Sequence, residues 1–228
     1  MKHSGKAQAA AVNMILFTLV ILVAIICMGL VAKFFGSIVL ALASTLGILW
    51  VLFVFFTLYF FRDPEAHVPT GANLVVSPGH GKVDAIDEID EPVFMGGRCK
   101  RISTFLSVFN VHVQNVPASG QIKYVRHTSG KFLNAMAAES AAENENVLIG
   151  IESSDRPGQK VGARLIAGLI ARRIIPWVTE GETVARGERM SLIQFGSRVD
   201  VYLPLSATIN VKLGDKVVGG ESVLATLA

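Results

Sequence analysis

A glycine-serine pair, Gly196-Ser197, stands between strand-like residues and has the residue types needed for peptide-bond chemistry. Turns usually gather Gly, Asn, Asp and Pro in polar surroundings, whereas Ile193 and Phe195 precede this pair and Val199 follows it. Because glycine lacks a Cβ, a strained carbonyl geometry becomes accessible and the serine hydroxyl can approach its own peptide bond. The pair therefore predicts self-cleavage by an N-to-O acyl shift. A bulge or a small-residue packing site is the alternative interpretation.

A serine hydroxyl is a weak nucleophile unless a base removes its proton, and a histidine at a strand end suits that role. Of the five histidines, His3 lies in the N-terminal tail and His67 in the linker after the apolar region. The residues alone leave His80, His112 and His127 as candidates. For His112, which lies among apolar strand residues, a hydrogen-bonded core histidine is the alternative interpretation.

Composition argues against other classes of site. The 21 Lys and Arg residues exceed the 18 Asp and Glu residues by three, and Lys2, Lys6 and Lys33 account for that excess. Residues 62–228 are therefore neutral, and we expect no nucleic-acid partner. Cys27 lies in an apolar segment and Cys99 far from it in the chain, so we expect no metal site and no disulfide, in a reduced cytoplasmic environment.

The first 61 residues predict a membrane anchor. Residues 11–32 and 38–61 are apolar, and each stretch exceeds the roughly 20 residues that a membrane-crossing helix needs. A cleaved signal peptide is the alternative for the first stretch, but a second apolar span follows at once without an Ala-x-Ala site. Basic residues at both outer ends of the pair place these ends in the cytoplasm. A re-entrant hairpin is the other topology. We predict an anchor in the plasma membrane with the soluble domain, residues 62–228, on the cytoplasmic side.

The sequence of the soluble domain predicts mainly β structure with few helices. Alternating runs at residues 74–77, 108–113 and 198–203 indicate strands. Residues 130–144 predict a helix, because their apolar side chains lie on one side. Residues 160–177 have helical spacing in part, but their glycines and β-branched residues favour two strands.

An internal repeat occupies the C-terminal part of this domain. Residues 178–188 follow the pattern V-x-x-G-E-x-V-x-x-G-E, and residues 211–221 repeat it 33 positions later with one Asp for Glu. Both copies predict β-hairpin turns, and together they predict a sandwich or barrel-like fold similar to lipoyl and biotinyl carrier modules. A carrier module needs a lysine at the hairpin tip between the copies, where this chain has the Gly-Ser pair.

Several segments carry a family resemblance. They are residues 60–64 (FFRDP), 110–113 (NVHV) with Pro117 and Gly120, 130–132 (GKF), 134–135 (NA), 143–145 (ENE), 171–174 (ARRI) and 194–204 (QFGSRVDVYLP). Together they resemble the short, membrane-anchored form of phosphatidylserine decarboxylase, and the resemblance covers nearly the whole chain.

The resemblance implies a function and its site. The family's self-cleavage junction falls on Gly196-Ser197, which implies chains 1–196 and 197–228 that stay associated, with a pyruvoyl group formed from Ser197 beside Gly196. The catalytic residues implied are Ser197 and His112, which matches a family histidine. The implied reaction is decarboxylation of phosphatidylserine to phosphatidylethanolamine and carbon dioxide through a Schiff base.

One motif departs from the family. Residues 77–81 read SPGHG, where related proteins commonly have Pro-Ala-Asp-Gly with an aspartate that orients the histidine. His80 stands in that place, so either Asp84 or Asp87 compensates, or the two histidines share the task. Asn115 stands where some members of the family have a second histidine.

Other interpretations stay open at this stage. A non-enzymatic membrane-anchored adaptor with a lipoyl-like module would explain the anchor and the repeat but would leave the Gly-Ser pair without a task. A decarboxylase of another seryl lipid, such as archaetidylserine, would share the same head group. Arg62, Arg172 and Arg173 are either lipid-phosphate ligands or solvated surface. Acyl-chain preference and oligomeric state, a homo-oligomer included, also stay open.

Overall fold

The computed structural model of the chain describes residues 5–31, 36–131, 143–168 and 173–228. The chain divides into two units, one of them Gly5–Asp63 and the other containing Pro64–Ala228. The first unit consists of helices α1 (Lys6–Val31) and α2 (Ser37–Phe60). Both are long and apolar enough to cross a membrane, with mean hydropathies of 3.1 and 2.6. Most of their large apolar side chains are exposed, which is the pattern of helices whose surroundings are lipid.

The second unit is built from short strands. Those in its described residues are β1 (Leu74–Val76), β2 (Gly81–Glu91), β3 (Gly97–Leu106), β4 (Val113–Asn115), β5 (Gly120–Thr128), β6 (Asn146–Ser153), β7 (Lys160–Ala167), β8 (Arg173–Pro176), β9 (Thr183–Val184), β10 (Arg189–Gln194), β11 (Ser197–Leu203), β12 (Thr208–Ile209), β13 (Lys216–Val217) and β14 (Val223–Thr226).

A curled antiparallel sheet of eight strands, in the order β13-β2-β3-β11-β7-β6-β5-β9, forms most of the second unit. Two smaller sheets, β4-β10-β8 and β1-β14-β12, complete it. Alternation along β11 sets its two faces. Val199 and Val201 are fully buried in the hydrophobic core, whereas Arg198 and Asp200 lie on the opposite face. The predicted mainly β fold with an N-terminal pair of apolar helices is confirmed.

The two copies of the repeat adopt the same local structure. Each copy forms a turn, a two-residue strand and a second turn, and Gly181, Gly187, Gly214 and Gly220 have φ of +87°, +81°, +93° and +75°. The short strands β9 and β13 pair with β5 and β2 at the two ends of the large sheet. The predicted turn glycines are confirmed, but the predicted hairpins are wrong because each short strand pairs with a distant part of the chain.

Most of the other strand predictions are confirmed. β1 lies within residues 74–77, and the predicted strand at residues 198–203 is β11, which begins one residue earlier. Residues 160–177 contain two strands, β7 and β8. The strand predicted at residues 108–113 is wrong, because this stretch is a turn and β4 begins only at Val113. The predicted helix at residues 130–144 falls mostly on 132–142, outside the described residues.

Candidate active site

The Gly-Ser pair lies at a tight connection between two sheets. β10 ends at Gln194 and β11 begins at Ser197, so Phe195 and Gly196 alone join them. Their φ angles are +64° and +76°, both in the left-handed region. For a bulky L-residue such as Phe195 this conformation costs about 1–2 kcal/mol. The chain bends at Phe195-Gly196 and Ser197 already belongs to a strand, so the backbone strain expected at Gly196 lies on the residue before it.

Ser197 is fully buried at the first position of β11. It pairs with Leu106 on β3 and with Ala167 on β7, so neighbouring strands hold it on both sides. Its Oγ has no hydrogen-bond partner within the described part of the chain. A buried hydroxyl without a partner costs about 1–3 kcal/mol, and such a group in a native fold is a candidate for chemistry.

The carbonyl that Ser197 would attack is held by a backbone donor. Gly168, directly after β7, donates its N–H to the carbonyl oxygen of Gly196 at 3.2 Å. A donor fixed on a carbonyl oxygen stabilises the negative charge that develops there during attack. Sequence reasoning missed this contact, because a backbone N–H leaves no side-chain signal.

His112 lies at the same junction. The backbone N–H of Gly196 donates to His112 Nε2 at 3.2 Å, and His112 Nδ1 is 2.9 Å from the carbonyl oxygen of Asn110. Because an amide N–H can only donate and a carbonyl can only accept, the proton must be on Nδ1 and the lone pair on Nε2. The fully buried ring of His112 therefore holds its basic Nε2 against the N–H of Gly196, in the peptide bond directly before the Gly196-Ser197 bond. The structure brings His112, Gly196 and Ser197 together.

The turn at residues 107–112 explains how His112 is oriented. Asn110 Oδ1 accepts hydrogen bonds from the N–H and the hydroxyl of Ser107, at 2.9 and 2.8 Å. The same Asn110 supplies the carbonyl that accepts from the imidazole. Val108 lies 3.7 Å from where a Cβ on Gly196 would be, and Phe109 is 66% exposed. An Asn that closes a turn through its side chain is the sequence signal that could have identified this loop.

A charged cluster surrounds the residue after Ser197. Arg198, buried on the outer face of β11, donates Nε to Asp200 Oδ1 at 2.9 Å and Nη2 to Ser103 Oγ at 2.7 Å. Its Nη1 is 3.7 Å from Asp84 Oδ2, and Asp84 occupies the register shift in β2. Burial raises the pKa of Asp84, and the Arg198 charge opposes that rise. Asp84 therefore lies close to the junction through its contact with Arg198.

The residues considered as replacements for the family aspartate lie in different parts of the fold. His80 and Asn115 meet at Gly219, where an added Cβ would lie 2.9 Å from both His80 Nε2 and Asn115 Oδ1. Asp87 accepts a hydrogen bond from Arg101 Nε at 2.8 Å. The replacement of the family aspartate by His80, Asp84 or Asp87 stays a prediction.

The remaining candidates are spread over the molecule. His127 is half-exposed, with Nε2 3.1 Å from Glu145 Oε1. Arg62 donates to a carbonyl at the end of α2, and Arg173 is exposed. Arg172 lies outside the described residues.

Comparisons with known proteins identify the family of the chain. Residues 53–225 match the family described as phosphatidylserine decarboxylase. The chain is 42% identical over 182 residues to the phosphatidylserine decarboxylase proenzyme of Desulfotalea psychrophila, covering 80% of this chain and 84% of that protein. The proenzyme of Syntrophus aciditrophicus is 43% identical over 183 residues, which cover 80% of this chain and 85% of that protein. The proenzyme of Ralstonia nicotianae is 42% identical over 196 residues, which cover 85% of this chain and 90% of that protein.

The fold, the serine-histidine site and these matches define the class of the chain, which is a carboxy-lyase of the proenzyme type. More particularly, it belongs to the phosphatidylserine decarboxylase family. The non-enzymatic adaptor, considered because it would explain the anchor and the repeat, is not the class to which this chain belongs.

Proposed function

We propose that the chain decarboxylates phosphatidylserine to phosphatidylethanolamine and carbon dioxide, with a pyruvoyl group that it makes by cutting itself between Gly196 and Ser197. The observation that carries this proposal is the 3.2 Å contact between the Gly196 N–H and His112 Nε2, beside a buried serine hydroxyl that lacks a partner within the described residues. Family membership supports the reaction, and the three relatives named above are called proenzymes.

The positions of these groups support self-cleavage. Once its Nε2 is released from the Gly196 N–H, His112 would take the hydroxyl proton as Ser197 Oγ bonds to the Gly196 carbonyl carbon, and the Gly168 N–H would stabilise the resulting oxyanion. The peptide C–N bond then breaks, the amine of residue 197 takes the proton, and an ester links the two residues. Loss of the Cα proton of residue 197 breaks the ester C–O bond and releases the carboxylate of Gly196. Water then replaces the nitrogen, which leaves as ammonia.

The space around Ser197 fits a pyruvoyl group. The serine side chain is fully buried between β3 and β7, and a group formed from its own atoms would take the same place. This group supplies a conjugated carbonyl that binds the substrate amine and withdraws the electrons left by carbon dioxide. His112, buried with a basic nitrogen at the junction, is the group that would hold and return a proton at the substrate carbon.

The two proposed chains, 1–196 and 197–228, would stay together after the cut. β11 pairs with β3 over its whole length and with β7 from Ser197 to Tyr202, and β13 and β14 pair with β2 and β1. Arg198 and Asp200 on the small chain contact Ser103 and Arg101 on the large chain. These contacts fix the start of the small chain, where the pyruvoyl group would be.

The two apolar helices support a membrane location, which we place in the plasma membrane with the catalytic domain on the cytoplasmic side. A diacyl substrate stays in the bilayer, so a tethered domain meets it at high local concentration. Phe109, exposed three residues before His112, offers an apolar contact for that lipid.

The experiment that tests the function uses the purified full-length protein in detergent micelles with phosphatidylserine. We expect release of carbon dioxide with formation of phosphatidylethanolamine, and neither product from Ser197→Ala. Wild-type protein that is cut at the junction yet leaves phosphatidylserine unchanged would contradict the proposed substrate. Archaetidylserine in the same assay tests the second seryl lipid.

A further inference from the structure

Residues 65–71, which we call the juxtamembrane segment, lie on the two copies of the repeat. A Cβ added at Gly187 would overlap the side chain of Val68, and a Cβ added at Gly220 would lie 2.6 Å from the Cβ of Ala66. Gly187 and Gly220 occupy the same place in the two copies, and both are buried. In each copy, therefore, one side chain of the segment packs directly against a glycine.

Polar contacts hold the segment in this place. Arg189, only 2% exposed, donates Nη2 to Glu65 Oε1 at 3.0 Å, and the N–H of His67 donates to Glu221 Oε1 at 2.9 Å. Arg186 Nη2 donates at 2.8 Å to two carbonyls of the segment, those of Pro69 and Gly71. The buried charge of Arg189 is thus paired with the Glu65 carboxylate, and backbone groups of the segment bond to the side chains of Glu221 and Arg186.

Strand β10 contacts the juxtamembrane segment and also leads to the active site. Arg189 is the first residue of β10, which ends two residues before Gly196. Farther along the same strand, Ile193 donates its N–H to the carbonyl of His112 at 3.1 Å. β10 therefore connects the docked segment to both partners of the junction.

We propose that the repeat is a receptor for the juxtamembrane segment and that docking there positions β10 for self-cleavage. This inference rests on the proposed self-cleavage at Gly196-Ser197. The segment joins α2 to the catalytic domain, so docking would link the membrane anchor to maturation of the site.

Two alanine substitutions in the same copy of the repeat test the proposal. Gly187 and Gly181 both have left-handed φ, so each alanine carries a similar backbone cost, but only Gly187 is covered by the segment. In full-length protein made by cell-free synthesis with detergent, we expect Gly187→Ala to slow self-cleavage about tenfold, equivalent to about 1.4 kcal/mol in the barrier. We expect it also to expose residues 65–71 to limited proteolysis, whereas Gly181→Ala should do neither.

Removing the opposing side chain provides the rescue. Val68→Ala combined with Gly187→Ala should restore both the cleavage rate and protection from proteolysis. The other copy repeats the design with Gly220→Ala, whose Cβ would meet Ala66 at 2.6 Å and Asn115 at 3.3 Å, so that Ala66→Gly should restore the rate in part. Gly214→Ala, which meets only a flexible lysine end at 3.7 Å, is the control. If Gly187→Ala does not fold, Glu65→Ala replaces it, because Glu65 is exposed and its loss removes one ion-pair partner of Arg189.

The outcomes separate this inference from the proposed function. If the wild type cuts itself and Gly187→Ala cuts at the rate of Gly181→Ala, or if the segment opens without slowing cleavage, the receptor role is overturned. If the wild type never cuts while the segment is still protected, the proposed self-cleavage fails, and the proposed coupling of docking to cleavage fails with it.

Discussion

His112→Gln tests the assignment of the base. The substitution removes the imidazole whose Nε2 accepts from Gly196 and keeps a polar side chain that can still form hydrogen bonds. A general base contributes about 10²- to 10⁴-fold, which is about 2.7–5.4 kcal/mol in the barrier. Loss of the buried hydrogen bond costs about 1–3 kcal/mol of stability at most. We therefore expect self-cleavage to slow at least a hundredfold in a protein that still folds.

The assay follows conversion of the uncut chain by gel and mass spectrometry after cell-free synthesis. His127→Gln is the matched control, because His127 is half-exposed, pairs with Glu145 and lies far from the junction in sequence. Thermal unfolding of both variants in a Ser197→Ala background measures stability without cleavage. His112→Gln that cuts within tenfold of the wild-type rate would refute the assignment of His112 as the base.

Three further substitutions test other parts of the site. Gly168→Pro removes the donor to the Gly196 carbonyl and should slow cleavage about 10²- to 10³-fold. Gly168→Ala keeps the N–H and should cut nearly normally, and equal rates for the two variants would contradict the oxyanion role. Burial raises the pKa of Asp84 above 3.8, so the folded state binds this proton more tightly than the unfolded state and wild-type stability falls as pH rises through the raised pKa. The melting temperature of Asp84→Asn minus that of the wild type should therefore increase from pH 4 to pH 7, and a difference independent of pH would contradict the raised pKa. Phe109→Ser should lower activity on bilayer phosphatidylserine about tenfold but hardly on a soluble short-chain form, with exposed Val93→Ser, in the turn between β2 and β3, as control. Equal loss on both substrates would rule out a lipid contact.

The regular elements could be predicted from the sequence because their signals are local. Alternating apolar residues marked β11, long uncharged runs marked α1 and α2, and glycines at a 33-residue offset marked the turns. Residues 108–113 also alternate, yet they form a turn because the Asn110 side chain bonds back to Ser107. Periodicity does not register such a side-chain contact.

The candidate site was only partly predictable. Ser197 and His112 are side chains with obvious chemistry, and family resemblance linked them. The Gly168 donor and the Asn110 acceptor are backbone groups, which every residue has, so only tertiary structure selects them. Gly187 and Gly220 looked like ordinary turn glycines, because their contact with the juxtamembrane segment joins parts of the chain that are far apart in sequence.

The central claim is that the chain converts Ser197 into a pyruvoyl group, and the intact mass of the purified protein tests it most directly. The account predicts a small chain of residues 197–228 that is lighter by one ammonia than the product of simple hydrolysis at Gly196-Ser197, together with a large chain ending at Gly196. A single uncut chain from membranes that actively decarboxylate phosphatidylserine, or a small chain with the mass of simple hydrolysis, would contradict it.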